Sequence, residues 1–168
     1  MSPEVIRLAG GVFIALCGLL AGQTASERLR SRTELIGEFV SFLTQVQCVI
    51  GYTANEACSL LENISGLRRM DPVIREALRL LNSGGSFEDA WKAAVGRCVS
   101  CREDRELMLA FGNSFGTSNI SGELSKTGLL KERASRYHSE LIEEYRTKRR
   151  LYRTTGTFFG VMAAVVMV

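Results

Sequence analysis

Four groups of residues in this 168-residue chain have types and spacings that could do chemistry. Cys98-Val-Ser-Cys101 has the CxxC spacing of a redox dithiol or of half a zinc site. A zinc site needs two more ligands, and the chain offers a single His, His138, and no second CxxC. A thioredoxin-type dithiol needs a βαβ setting, which the helical periodicity of this chain does not supply. The cluster Glu140, Glu143 and Glu144 lies within three or four residues of Arg136, Arg146 and Lys148, the spacing of ion pairs on a helix surface rather than of an acid–base dyad. Gly112-Asn-Ser-Phe-Gly116 lacks the Lys of a phosphate loop, so Gly112 reads as a packing contact and Gly116 as a helix stop. No Ser stands in a nucleophile elbow. The reading is a non-enzyme with no catalytic residue, cofactor, metal ligand or small-molecule substrate.

The elements that hold these residues are sorted by charge along the chain. Leu8 to Ser26 and Thr154 to Val168 carry no charge, and outside residues 27–153 the only charged side chains are Glu4 and Arg7. A membrane span needs about 20 apolar residues. The first segment reaches that as a helix over about 5–24. The second has 15 residues, about 22 Å of helix, and spans with help from Leu151, Tyr152 and local thinning. A cleaved signal peptide would want a basic start where this chain has Met-Ser-Pro-Glu. The expected division is a transmembrane helix in 1–26, a helical domain over 27–153, and a second transmembrane helix over 154–168. Arg28, Arg30 and Arg32 follow the first segment, and Lys148, Arg149, Arg150 and Arg153 precede the second. Excess Lys and Arg marks cytoplasmic flanks, so both clusters place the middle in the cytoplasm and both short termini outside. Between Lys126 and Arg153 there are nine basic and four acidic residues. This basicity follows a helix end without a recognition motif, which disfavours nucleic acid and favours a membrane surface. Of the five Cys, Cys17 lies in the first expected span, and the other four, in a cytosolic setting, are expected as reduced thiols.

The middle is helical in its periodicity throughout. Leu35, Ile36, Phe39, Val40, Leu43, Val46 and Ile50 make one apolar stripe ending at Gly51-Tyr-Thr. A second helix, capped by Thr53 or Asn55, runs through Leu60, Leu61 and Ile64 to Ser65-Gly66. Asp71 as N-cap with Pro72 at the first position starts a third, through Ile74, Ala77, Leu78 and Leu81 to Gly84-Gly85. Ser86, with Asp89 three residues on, caps a fourth that carries Phe87, Ala90, Trp91, Ala94 and Val95. A fifth holds Leu107, Met108, Phe111 and Phe115. Ser118 or Asn119 opens a long sixth with the seam Leu130, Ala134, Tyr137, Leu141 and Tyr145, and no Pro interrupts it before the tail. The expected fold is all-α, an antiparallel bundle of about six helices between the two transmembrane helices.

Several stretches in this order resemble one family. They are Arg-Leu-Arg-Ser-Arg after the first apolar segment, Phe-Leu-Thr-Gln-Val-Gln-Cys-Val-Ile-Gly-Tyr-Thr-Ala-Asn-Glu-Ala over 42–57, and Leu-Leu-Asn-Ser-Gly-Gly-Ser-Phe-Glu-Asp-Ala-Trp over 80–91. Phe-Gly-Asn-Ser-Phe-Gly-Thr-Ser-Asn over 111–119 follows, then the long helix and apolar tail. The chain resembles the stage III sporulation protein AB family, relatives of the platform proteins of type II secretion and type IV pilus machines. Asn119 and Glu123 depart from the Asp and Gln of that pattern. The resemblance implies a secretion-platform type of cytosolic domain in the channel between mother cell and forespore, in the mother-cell membrane around the forespore. It further implies a cognate hexameric ATPase and other sporulation channel proteins as partners. A static membrane adapter, and a thiol-redox or metal protein using Cys98 and Cys101, are the competing readings.

Overall fold

The computed structural model describes residues 26–48, 61–62, 64–115 and 120–166. Among them there are five helices and no strand. They are α1 (26–48), α2 (Asp71–Asn82), α3 (Phe87–Cys98), α4 (Arg102–Ser114) and α5 (Ile120–Val166). Of the helix expected over 53–64 only Leu61, Glu62 and Ile64 are among the described residues; Leu61 and Glu62 are helical and Ile64 is not, and the count is five rather than about six. The expected transmembrane helix over 5–24 also lies outside them. The second expected span is helical to Val166 and continuous with α5, 47 residues in all. Yet among the described residues no helix is long and apolar enough to cross a membrane. The reason is visible in the residues: an 18-residue stretch ending at Val166 takes in Arg149, Arg150 and Arg153.

The chain divides into two compact units. One is Glu34–Ser139, and the other combines the chain on either side, including the described residues 26–33 and 140–166. Within the larger unit α1 and α5 are antiparallel. Gly37 lies against His138, and ten residues along, the Gln47 amide donates to the Leu124 carbonyl at 3.5 Å beside Gly128. α2 and α3 form a hairpin, with Glu76 on Arg97 and the Pro72 carbonyl near Cys98. α3 and α4 form the next, through Trp91 and Met108.

Local signals explain most boundaries. Ser86 in extended conformation accepts from the Asp89 N–H at 3.2 Å and gives its own proton to the Asp89 carboxylate at 2.7 Å, closing the start of α3. At the end of α2, Gly84 takes φ +89°, its N–H reaches Leu81 O at 2.9 Å, and the Gly85 N–H reaches Leu80 O at 3.3 Å. This is a Schellman closure, which needs a left-handed residue after the C-cap and therefore favours Gly. The start of α2 differs from expectation. Met70, not Asp71, is the N-cap; it offers no side-chain acceptor, and Asp71 sits inside the first turn, paired with Arg75. Cover for this end comes from α1, where Glu38 Oε2 accepts from the backbone N–H of Arg69 at 2.5 Å and of Met70 at 3.0 Å. Glu34, one turn earlier, accepts from the Arg69 guanidinium at 3.1 and 2.8 Å.

The core of the larger unit is aromatic. Trp91 is fully buried, stacked on Phe42 with centroids 5.2 Å apart, edge-on to Phe111 at 5.2 Å, and flanked by Phe87. Its indole N–H donates to the Met108 carbonyl at 2.9 Å. That approach depends on Gly112, one turn beyond Met108: a Cβ there would sit 2.5 Å from Trp91 Cδ1. The expected packing role of Gly112 holds, while Gly116 lies outside the described residues.

Candidate functional site

The residues with chemical potential are built into the ends and seams of these helices. Cys98 is the last residue of α3 and Cys101 the N-cap of α4, so the CxxC forms the elbow between two helices. Their thiols turn to different partners. Cys98 Sγ donates to the Pro72 carbonyl at 3.6 Å and Cys101 Sγ to Glu103 Oε2 at 3.2 Å. Burial pushes both thiols above the ordinary cysteine range, and the Glu76 charge pushes Cys98 further. A nucleophilic or metal-binding cysteine needs the opposite shift, toward thiolate. Among the described residues no three His, Cys, Asp or Glu side chains are grouped to hold a metal ion.

His138 serves the α1–α5 seam. Its imidazole covers the Gly37 backbone so closely that a Cβ on Gly37 would lie 2.8 Å from Nε2. Glu140, Glu143 and Glu144 are exposed on α5, and Lys148 pairs with Glu144 at 2.5 Å across one turn. That pairing matches the helix-surface reading of this cluster.

The basic residues expected to flank membrane segments are 116 or more positions apart in sequence between Arg32 and Lys148. Folding brings their two clusters into one compact unit, composed of the chain before Glu34 and after Ser139. Arg28, Arg30, Lys148 and Arg150 are exposed, and Arg32 is partly covered. Arg149 and Arg153 belong to the same helix, α5.

Three polar arrangements escape a reading of the sequence. Glu76 of α2 is shared by Arg79 at 2.7 Å and by Arg97 of α3. The hydrogen bond from Arg79, joined by Arg97 and opposed by partial desolvation, pulls the Glu76 carboxyl down to about 2. Asp104, in the first turn of α4 and 1% exposed, accepts a 2.8 Å hydrogen bond from the Tyr137 hydroxyl of α5. Glu34 and Glu38 hold the start of α2, as described above. The i,i+3 spacing of Glu76 and Arg79 is the one local signal among them. The cross-helix partners have no signal at all, because they join residues 21 to 35 positions apart.

Several of these arrangements tie helices together: Glu76 with Arg97 joins α2 to α3, Tyr137 with Asp104 joins α5 to α4, and Glu38 of α1 covers the start of α2. The sequence model of one family, stage III sporulation protein AB, matches residues 7–168. The chain belongs to the stage III sporulation protein AB family. Membership gives it a role in stage III of sporulation, and the match runs through both apolar ends as well as the helical middle. Neither the curated proteins nor the solved structures give a match to the chain.

Proposed function

We propose that the protein is a non-catalytic membrane platform of the sporulation channel between mother cell and forespore. In this reading it is anchored at both ends in the mother-cell membrane around the forespore, with residues 27–153 in the cytoplasm. It relays movement from a cognate hexameric ATPase to other proteins of the channel. Family membership supports the process, and the Arg and Lys flanks support the topology.

One observation carries the relay: helix continuity. α1 and α5 each pass without a break through the border between the two units, at Thr33–Glu34 and at Ser139–Glu140. A continuous hydrogen-bonded helix of 47 residues, about 70 Å long, transmits a displacement along its axis where a loop would absorb it. Crosslinking the full-length protein to the ATPase in membranes, with and without nucleotide, tests the proposal. Contacts that change with nucleotide are expected. Contacts that form but never change would leave a static adapter, and no contact in any nucleotide state would remove the platform reading.

A further inference from the structure

The two basic clusters share one compact unit, and their charge is ordered as well as concentrated. Along α5 the acids Glu140, Glu143 and Glu144 come first; from Arg146 to Arg153 there are five basic residues and no acid. Along α1, after a single acid at Glu27, Arg28, Arg30 and Arg32 precede Glu34 and Glu38. The arginines of α1 lie close to the uncharged stretch Leu8–Ser26, and the basic stretch of α5 adjoins the uncharged stretch Thr154–Val168. Orientation in a bilayer is served by Lys as well as by Arg. Here six of the seven flanking residues, all but Lys148, are Arg. Arg differs from Lys in presenting a planar fork that meets two oxygens of one phosphate.

We propose that this belt binds the phosphate of anionic phospholipid headgroups, so that the unit selects its boundary lipid in addition to being oriented by it. The inference rests on the membrane attachment proposed above. Basic side chains at a bilayer surface gain from anionic lipid within a Debye length, so the selection is sensitive to salt.

The full-length chain, reconstituted into phosphatidylcholine vesicles with a minor share of phosphatidylglycerol, provides the test. Flotation first reports whether the protein stays with the bilayer. Spin-labelled phosphatidylglycerol and phosphatidylcholine then report their relative association with the inserted protein. The expected preference for phosphatidylglycerol is roughly fivefold at low salt, falling toward one at about 0.5 M sodium chloride. Phosphate buffer at matched ionic strength should reduce it no more than chloride does. Arg28→Gln with Arg30→Gln, or Lys148→Gln with Arg150→Gln, should each lower the preference, and the salt series on the unaltered chain keeps the test independent of how these variants insert. An inserted protein with equal association of both lipids overturns the proposal and leaves the anchoring intact. Stronger displacement by phosphate than by chloride reassigns the belt to a soluble phosphate and also overturns it. A protein that does not float with vesicles overturns the anchoring and the proposal together.

Discussion

Replacing Gly112 with Ala should destabilise the larger unit, although Ala is the better helix former. The added Cβ would lie 2.5 Å from Trp91 Cδ1, 3.1 Å from Cγ and 3.3 Å from Cβ. Ordinary carbon contacts are about 3.5–4.0 Å, so the indole must withdraw by about 1 Å. It has nowhere to go. Phe42 stacks on one face at 5.2 Å and Phe87 lies at 5.9 Å, while Phe111 meets the ring edge-on. Overpacking of this kind costs about 1–3 kcal/mol. Losing the 2.9 Å bond from the indole N–H to Met108 O adds about 1 kcal/mol. The helical gain of Ala over Gly returns about 1 kcal/mol, so the net loss is about 1–3 kcal/mol. Gly96 of α3 is the control, since nothing lies within 4 Å of a Cβ built there; Gly96→Ala should be neutral or stabilising by up to about 1 kcal/mol. Urea unfolding followed by the fluorescence of the single Trp, Trp91, measures both variants. Equal stability of Gly112→Ala and Gly96→Ala would refute the argument that the Trp91 contact dictates glycine at 112.

Glu38→Ala removes the acceptor from the Arg69 and Met70 N–H groups and should cost about 0.5–2 kcal/mol in the same assay, whereas Glu38→Gln should recover part of it; equal losses would mean that hydrogen bonding is not the cause. Tyr137→Phe leaves the buried Asp104 carboxylate without its 2.8 Å donor and should cost about 1–3 kcal/mol, with α5 amides near 137 losing exchange protection before those of α3. Glu76 titrates at about 2 in the folded chain against 4.5 unfolded. Its depressed value means that its contribution is complete above about 4.5 and is lost as pH falls toward 2. Glu76→Gln should therefore flatten the stability profile between those values, and a carboxyl NMR titration placing Glu76 near 4.5 would contradict the shared-arginine geometry. Partial burial pushes the Cys98 and Cys101 thiols up, so both should alkylate at neutral pH more slowly than a peptide thiol, and a Cys98→Ser, Cys101→Ser chain should support normal sporulation.

Helix positions were legible wherever the signal is local. Ser86 with Asp89, Gly84 after Asn82, and the stripe of Ala90, Trp91, Ala94 and Val95 each act within a few residues, and each stands where its pattern puts it. Legibility failed where the partner is remote or the residue type is misleading. Asp71-Pro72 looks like a capped start, yet the acceptor that covers that end is Glu38, 32 positions from Met70. Phe42 falls outside the apolar stripe read from α1 but is fully buried at the centre of the aromatic core. Glu123 and Thr127 continue the buried face of α5 beyond Leu130, and polar side chains carry no apolar periodicity to announce it.

By itself, then, the sequence determined the helical character of the described residues, the periodic faces of the helices, the turn chemistry at Gly84 and Ser86, and the family. All of these depend on residue type and short spacing, which a chain carries before it folds. Only the tertiary structure decided that Gly112 makes room for Trp91, that Gly37 makes room for His138, and that two arginine clusters more than a hundred residues apart belong to one unit. It also turned the CxxC into a helix elbow whose thiols face a carbonyl and a carboxylate rather than each other. These outcomes rest on which helices meet and in what register, and antiparallel packing sets that register through contacts that no local pattern encodes.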